Sequence, residues 1–451
     1  MGLQLNVGSL TSGSGIDVQS TVDQLMSLQK APLTQMQQQQ TTLQSQSSAL
    51  NDIETKLQSL QTAVQSVGDF TGSLASRAAS SSQPSAVSAT ATSSAAISQH
   101  QISIDHIANG SSWYSNPYGS SQTFSAGSFQ IQLGSNKAVT VNVRQGDTLQ
   151  TIAKTINGQK AGVTANVIAD ANGSRLTVIS NNTGLSNEIA ISGDTVGMGF
   201  QESATAKDAS LTVDGVLIDS ASNTISTVIP GVTLTLDSAT IGTAILNVQP
   251  DTSQAEQAIA NFVSAYNSTV QAINGQFAYD STSKTSGPLA SDSTLRTIQE
   301  KVESSVNYQI AGNNGLSTLY DLGIRVQNDG TLSLDTSTLE SALASNFNAV
   351  QNFFQSTTPK GFSSTLNTSL NSILDPTDGA ITVDLKGISD TNTDLQSQID
   401  DMTDRLNSEQ QSLMTQFEKV DALLRSYPTT MDQIDAILGS LPSSGSSKSG
   451  S

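Results

Sequence analysis

The sequence predicts an α+β, multidomain protein with long terminal helices, a helical bundle, and an inserted all-β or α+β region of two subdomains. Three observations support this prediction. Apolar residues recur every three or four positions near both ends of the 451-residue chain, which indicates amphipathic helices. Between residues 97 and 250 they recur at every second position, which indicates β-strands. A polar, Gly-containing passage at residues 193–207 separates two groups of these strands, so two subdomains are expected.

The first long helix is predicted from the stretch NDIETKLQSLQTAVQSV, residues 51–67. A single helix cannot bury such an apolar stripe, which here consists of Leu50, Ile53, Leu57, Leu60 and Val64. A similar stripe with polar interruptions lies near the C-terminus, at Ile399, Met402, Leu406, Leu413, Val420 and Leu423. We expect the two stripes to pair, within or between subunits, as a coiled-coil assembly interface. Ordinary bundle core is the alternative interpretation.

The middle of the chain is predicted to be mostly β, with one helix. Asp147 is the expected N-cap of that helix, and Leu149, Ile152, Ala153 and Ile156 share one face of it. Alternating apolar residues indicate the strands, at Ile102 and Ile104; Phe129, Ile131 and Leu133; Val139, Val141 and Val143; Val163, Ala165 and Val167; Leu211 and Val213; and Val232, Leu234 and Leu236.

After Pro250 the helical spacing returns. Ser253 is the expected cap of a helix whose buried face carries Ile259, Phe262, Val263, Tyr266, Val270 and Ile273. Two further faces follow, at Leu295, Ile298, Val302 and Val306 and at Leu339, Leu343, Phe347 and Val350. Since helices occur at both ends, the termini are expected to meet in one stem from which the β region projects.

The composition argues against several classes of partner. The formal net charge is −19 with only 19 Lys and Arg, and no basic cluster occurs, which argues against a nucleic acid or an anionic membrane surface. Because the chain has no Cys, it forms neither disulfides nor zinc-thiolate sites. The stretch MGLQLNVGSLTSGSGID lacks the charged and apolar regions of a cleaved secretory signal, and no apolar run is long enough to insert into a membrane.

The sequence predicts no catalytic, cofactor-binding or metal-binding residues. His100 and His106 lie on one side of a predicted strand, but the spacing places no third metal ligand beside them. The two Ser-x-x-Lys matches, SLQK and STSK, lack the companion motifs of a serine hydrolase and are expected by chance in so Ser-rich a chain. We therefore expect that the protein is not an enzyme.

One aromatic cluster, Trp113, Tyr114 and Tyr118, lies in the turn-rich stretch SSWYSNPYGS. Trp and Tyr are common at interfaces, so the cluster could be an exposed adhesive patch. The alternative, which we favour, is that these rings form the small core of a subdomain with little else to bury.

Several stretches, taken in order, resemble the bacterial flagellar filament cap proteins, the flagellar hook-associated protein 2 family. GSGIDVQSTVDQLMSLQKAPL resembles the opening of that family, and DTLQTIAKTINGQKAGVTANVIADANGSRLTVISNNTGLSNEIAI resembles a β-rich module shared with several flagellins. ASLTVDGVLIDSASNTISTVIPGVTLTLDSA with FVSAYNSTVQAI resembles the second head subdomain and the first leg helix. GPLASDSTLRTIQ and LYDLGIRVQNDGTLSLDTSTLESAL resemble the rest of the leg.

The resemblance implies a non-enzymatic homo-oligomer, usually described as five copies, at the distal tip of the flagellum. It implies export through the flagellar channel without a cleaved signal peptide, flagellin as the main partner, and an export chaperone before secretion. No cofactor is implied. Two alternatives stay open: a tip adhesin that binds host glycoprotein, and a hook–filament junction or filament subunit.

The resemblance and the patterns together predict four structural units. Residues 1–42 and 415–451 are flexible coiled-coil segments, and residues 43–70 and 251–414 form the leg. Residues 71–116 and 203–250 form one head subdomain, and residues 117–202 form a second subdomain inserted in it. We also expect the terminal helices, including residues 36–67, to be disordered in the free monomer, and the low-complexity tail from residue 439 to be disordered.

Overall fold

A computed structural model describes residues 17–239, 242–282, 284–358 and 360–439, and it confirms the α+β multidomain fold class. The tail predicted to be disordered lies outside these residues except for Gly439, as do residues 1–16. No helix in the described ranges is long and apolar enough to cross a membrane. The described α-helices are α1 (Val18–Gln29), α2 (Ala31–Gly68), α3 (Leu149–Gly158), α4 (Thr252–Phe277), α5 (Ser293–Ser305), α6 (Thr336–Gln355), α7 (Phe362–Leu374) and α8 (Ala380–Gly439).

The strands form antiparallel sheets, as expected for a region of hairpins and short connections. They are β1 (Arg77–Ser81), β2 (Val87–Ala91), β3 (Ser98–His106), β4 (Ser112–Tyr114), β5 (Thr123–Phe124), β6 (Gly127–Leu133), β7 (Val139–Val143), β8 (Asp147–Thr148), β9 (Val163–Asp170), β10 (Gly173–Ser180), β11 (Ile189–Ser192), β12 (Gln201–Ala204), β13 (Ala209–Val213), β14 (Val216–Ser220), β15 (Thr224–Ile229), β16 (Val232–Leu236), β17 (Ala244–Pro250), β18 (Tyr279–Asp280), β19 (Thr285–Ser286), β20 (Ile324–Val326) and β21 (Leu332–Leu334).

A helical bundle, which we call the leg, is built from α2, α4, α5, α6, α7 and the start of α8 around one apolar core. The apolar faces predicted for α4, α5 and α6 are all buried in this core, which confirms the helical spacing. The predicted cap of α4 was wrong by two residues. Asp251 is the N-cap, and its carboxylate accepts a hydrogen bond from the Gln254 N–H at 3.1 Å, whereas Ser253 lies inside the first turn.

The first head module consists of two sheets that share one core. The larger sheet has the strand order β1-β17-β3-β13-β14, and the smaller has the order β15-β16-β2. Predicted inward residues such as Ile102, Leu211 and Leu234 are buried between the sheets, which confirms the alternation on which the strands were predicted.

The second head module has its own core, formed by α3 and the sheets β12-β4-β10-β9 and β11-β6-β7. The predicted apolar face of α3 is buried. Its N-cap is Thr148 rather than Asp147, because Thr148 and Thr151 form a reciprocal capping box. The side chain of Asp147 instead accepts a hydrogen bond from the Thr151 hydroxyl at 3.1 Å.

The strand pairing extends beyond the segment predicted for the second module, residues 117–202. Strand β4, at residues 112–114, and strand β12, at residues 201–204, pair with each other, and β4 also pairs with β10. The two connections between the head modules run side by side, since Asn109 and Lys207 form a β-bridge. A boundary drawn near this bridge fits the strand pairing better, and the division into domains stays a prediction.

A partly buried carboxyl group of the leg has an unusual environment. Asp384 of α8 lies against Asp292, the N-cap of α5, and its Oδ2 atom is buried without a hydrogen-bond partner among the described residues. Burial, together with the neighbouring Asp292 carboxylate, raises the pKa of Asp384 to about 6. The folded protein therefore binds this proton more tightly than the unfolded chain does. The resulting stabilisation is complete below the unfolded pKa of 3.8 and is lost as the pH rises through about 6.

We expect Asp384→Asn to stabilise the leg at pH 7.5 and to change its stability little at pH 4. Only the ionised carboxylate is unfavourable at this position, and the carboxyl group is protonated at pH 4. The expected gain is of the order of 1 kcal/mol, after allowance for solvent around a partly buried group. Thermal unfolding of the two proteins at both pH values measures the difference. Asp394→Asn, at an exposed position of the same helix, is the matched control. An equal effect of Asp384→Asn at both pH values would contradict the assignment.

Candidate assembly surface on the terminal helices

The terminal helices form an antiparallel pair that extends from the leg. Polar side chains connect α1 and the first part of α2 to α8: the Gln40 amide donates to Gln396 at 2.6 Å, and the Gln410 amide donates to Asp23 at 3.3 Å. Residue number falls along one helix as it rises along the other, so the helices run in opposite directions. The part of the predicted apolar stripe from Ile399 to Leu413 therefore faces residues 18–43.

The contact between these helices is small. Val22, Met26 and Leu406 are buried, and a few half-buried residues pack around them: Val18, Leu33, Met402, Leu413, Met414 and Phe417. Ile399 and Leu406 are nearly fully buried, and their role in a coiled-coil assembly interface stays a prediction. Since few apolar side chains are fully buried, the pair is held much more weakly than the leg.

The predicted partner of the N-terminal stripe was wrong. Leu50, Ile53, Leu57, Leu60 and Val64 are fully buried in the leg core, where α2 packs against α4, α7 and the start of α8. These side chains are therefore core residues, which was the alternative interpretation, and they are not available as an assembly surface in this fold. Spacing establishes that a helix face is buried, but it does not identify the covering element.

An exposed apolar stripe runs along the end of α8, and we call it the C-terminal stripe. Its side chains are between 43% and 69% exposed: Val420, Leu423, Tyr427, Met431, Ile434 and Leu438. They are three or four residues apart, so they share one helix face. Of these, Val420 and Leu423 were predicted as interface residues, and the structure leaves both at the surface.

Sequence reasoning missed Met431, Ile434 and Leu438, although the same spacing continues through them. The pattern is hidden by Pro428, a residue that usually interrupts a helix because it lacks an N–H and clashes with the preceding turn. Here α8 continues past Pro428 to Gly439. The three- and four-residue spacing of apolar residues on both sides of Pro428 was the signal from which these three residues could have been predicted.

The aromatic cluster is divided between the core and the surface. Trp113 and Tyr118 pack against the core of the second head module, and the Trp113 indole donates a hydrogen bond to the Ile189 carbonyl at 2.9 Å. Tyr114 lies on the other face of β4, where the Arg175 guanidinium covers its ring at 5.3 Å. The cluster therefore offers no continuous exposed aromatic patch, and the core interpretation fits two of the three rings.

We expect Trp113→Ala to destabilise the second head module by about 3 kcal/mol, because it leaves a cavity and an unpaired Ile189 carbonyl. Tyr114→Ala, the control on the opposite face of the strand, should cost about 1 kcal/mol or less. Differential scanning calorimetry measures both. Equal small effects would indicate that Trp113 is a surface residue.

The two histidine side chains of the head are engaged in ordinary hydrogen bonds with carboxylates. The His100 ring contacts the Asp214 carboxylate at 2.7 Å, and the His106 ring contacts its neighbour Asp105 at 2.8 Å. Within the ranges that the structure describes, no three His, Asp or Glu side chains are placed to hold a metal ion.

Comparison with known proteins identifies the family. The flagellar hook-associated protein 2 of Escherichia coli K12 is 32% identical over 451 residues, which cover 93% of this chain and 96% of the relative. This chain belongs to the flagellar hook-associated protein 2 family. Family models named for the N-terminus and the C-terminus of flagellar hook-associated protein 2 match residues 14–111 and 206–429. The predicted resemblance is thereby confirmed.

Other comparisons agree with this membership. The B-type flagellar hook-associated protein 2 of Pseudomonas aeruginosa is 29% identical over 386 residues, covering 77% of this chain and 80% of the relative. A crystal structure of the D1, D2 and D3 domains of the flagellar cap protein FliD from Escherichia coli is similar with a TM-score of 0.57 and 31% identity. It covers 76% of this chain and 99% of the crystallised chain.

The matched regions relate the hook-associated protein 2 family to the structure described above. A model of the flagellin hook IN motif matches residues 128–182, which carry β6 to β10 of the second head module. The C-terminal model ends at residue 429, so Val420, Leu423 and Tyr427 lie inside it and the rest of the C-terminal stripe lies beyond it. The family is one of structural flagellar cap proteins and is not a known enzyme family.

Proposed function

We propose that this chain caps the distal end of the bacterial flagellar filament as a homo-oligomer, with five copies as the expected number, and promotes the folding and insertion of exported flagellin. Family membership supports the location and the class of function. The observation that carries the proposal is the C-terminal stripe, because a long apolar helix face exposed to water indicates a binding surface.

The stripe is proposed to bind the apolar surface of flagellin subunits at the growing end. Among the described residues, the buried apolar cluster of the adjoining helix pair consists of three side chains, so this part of the chain costs little to rearrange. The leg has a large continuous core and is expected to stay rigid. A rigid leg with weakly held terminal helices allows the cap to detach and bind again after each subunit is added.

The exposed C-terminal stripe also affects how the chain behaves before it is exported. An exposed apolar helix face favours association between copies in the cytoplasm. We propose that an export chaperone covers it before the chain enters the flagellar channel without a cleaved signal peptide, and that the protein acts outside the cell at the filament tip. The adhesin alternative is less favoured, since Trp113 and Tyr118 are partly buried and pack against the core of the second head module.

Deletion of the gene in its source bacterium tests the proposal. We expect cells with bare hooks and soluble flagellin in the medium, because unassembled subunits diffuse away from an uncapped end. Addition of the purified wild-type protein should restore filaments. Normal filaments on the deletion strain, with loss of surface attachment alone, would rule out capping and support the adhesin.

A further inference from the structure

A cavity lies at the end of the leg from which α2 leads into the first head module. It is formed by the last turns of α2 and α6 and the first turns of α7, and it encloses about 420 Å³. Sites for small ligands usually enclose roughly 300–1,000 Å³. One side of the cavity, which we call the apolar wall, consists of Val64, Phe70 and Phe354. The Phe70 ring is 59% exposed, so the apolar wall is open to a ligand from solution.

Two buried polar side chains line the same cavity and are incompletely hydrogen-bonded. Gln355 and Ser363 are 5% and 3% exposed, and neither the Gln355 Oε1 atom nor the Ser363 Oγ atom has a partner among the described residues. The Gln355 Nε2 atom donates to the carbonyls of Val67 at 3.3 Å and Asp69 at 2.7 Å. Because both of these groups are acceptors, the amide nitrogen faces them and Oε1 is left as an unused acceptor. Buried polar atoms are nearly always paired, so two unpaired atoms at one cavity indicate a binding site.

The first turn of α7 makes this cavity favourable for an anion. No side chain caps α7, which begins after Gly361, and the first N–H groups of a helix have no acceptor within the helix. Ser363 is the second residue of α7, so its unpaired hydroxyl adds a buried donor at the same end. Lys360 precedes the helix and lines the cavity, and its exposed side chain forms no ion pair with a described carboxylate. The Tyr308 hydroxyl donates to the Lys360 carbonyl and thereby fixes the backbone at this position.

The charges around the cavity favour an anion with a single charge. Asp69 is the one acidic residue among the described residues that line the cavity. Its carboxylate accepts from the N–H and the hydroxyl of Thr71, at 2.8 and 2.9 Å, and these bonds hold the pKa of Asp69 below its usual range. Because this negative charge faces the single positive charge of Lys360, a carboxylate is better accommodated than a doubly charged phosphate.

We propose that the cavity binds the C-terminal residue of a peptide chain whose last side chain is apolar. Such a residue carries three groups that match the cavity. Its α-carboxylate accepts hydrogen bonds from the first N–H groups of α7, the Ser363 hydroxyl and Lys360. Its own N–H donates to the Gln355 Oε1 atom, and its side chain packs against the apolar wall. The inference concerns a site on the leg and is independent of the proposed capping function.

NMR titration of the isotopically labelled full-length protein with N-acetyl-leucine tests this inference. This probe has the carboxylate, the amide N–H and the apolar side chain of a chain terminus. We expect it to shift the amide signals of Phe362, Ser363 and Ser364. N-acetyl-leucinamide, which lacks only the charge of the carboxylate, should bind at least about tenfold more weakly, because hydrogen bonds to a charged acceptor are the stronger ones.

Two substitutions test the donors of the cavity. Ser363→Ala and Lys360→Gln should each weaken binding of N-acetyl-leucine by about tenfold. The melting temperature of the unbound Ser363→Ala protein should stay the same, since the hydroxyl that it removes has no partner. Lys301→Gln, at an exposed lysine of the leg outside the cavity, is the matched control and should bind as the wild type does.

Three results would overturn the inference: no shift at α7 with N-acetyl-leucine up to its solubility, equal binding of N-acetyl-leucinamide, or unchanged binding by both variants. Free leucine and a short peptide that ends in leucine distinguish a free amino acid from a chain terminus. The peptide should bind more tightly, because its amide N–H matches the Gln355 acceptor without adding a charged ammonium group. Tighter binding of free leucine would overturn the assignment to a chain terminus.

Discussion

Leu60→Asp is expected to unfold the leg while the two head modules stay folded. The Leu60 side chain is fully buried in the leg core, and an aspartate there loses the leucine packing and buries a carboxylate without a partner. The free energy of unfolding of the leg should fall by at least about 4 kcal/mol. The head modules have separate cores, so their β-sheet signals should persist. Circular dichroism at helical wavelengths and NMR of the head measure the two parts separately.

Ser59→Asp is the matched control for this prediction. Ser59 is adjacent in sequence and exposed, so the same charge there should change leg stability by less than about 1 kcal/mol. If Leu60→Asp melted as the wild type does and affected only filament capping, residues 50–67 would be an assembly surface after all. Slow amide exchange in residues 50–67 of the monomer is a second expectation from the same burial, and it replaces the disorder that the sequence predicted for this part of residues 36–67.

Leu423→Glu combined with Ile434→Glu is expected to abolish filament formation without changing the fold. Both side chains belong to the C-terminal stripe and are largely exposed, so the free protein loses little when they become charged. The proposed contact with flagellin would instead bury two carboxylates. The free-energy cost of burying these charges should exceed the binding free energy of a transient contact. Deletion cells that receive this variant should release flagellin into the medium as uncomplemented cells do.

The control for the stripe variant is Ala422→Glu with Thr429→Glu, which carries the same added charge on another face of the same segment. It should restore filaments as the wild type does. Equal loss of filaments with both pairs would mean that added negative charge, rather than the apolar face, blocks capping.

The periodicity of the sequence was sufficient to predict which faces are buried. The spacing of Ile259, Phe262 and Tyr266 predicted the buried face of α4, because a helix returns to the same side every three to four residues. Alternation at Ile102 and Ile104 predicted a half-buried strand in the same way. These features depend on local geometry alone.

The element that covers a buried face could not be predicted from periodicity. The stripe at Leu57 and Leu60 shows that something covers α2, but α4 and α7, which do so, are nearly two hundred or more residues away in the sequence. The C-terminal stripe has the same spacing as the buried stripes, and sequence alone does not separate a buried face from one that is exposed until assembly. The location of Trp113 depended likewise on a hydrogen bond to a residue 76 positions away.

The capping residues show that the sequence pattern does not decide between neighbouring N-cap candidates. Asp147 and Thr148 are both good N-cap residues, and the reciprocal bonds with Thr151 decide between them. Near Pro250, Asp251 precedes Ser253, and its carboxylate accepts a hydrogen bond from the Gln254 N–H in the first turn of α4. Choices between adjacent candidates depend on hydrogen bonds that the spacing does not encode.

Photo-crosslinking from position 423 in growing filaments tests the central claim most directly. A photoreactive amino acid that replaces Leu423 should form a covalent product with flagellin, because the C-terminal stripe is proposed to lie against the newest subunits. The same amino acid at Asp432, on another face of α8, should give little product. Crosslinks from position 423 only to other copies of this chain, on cells with normal filaments, would contradict the account, since the stripe would then hold the cap together and would not bind the filament.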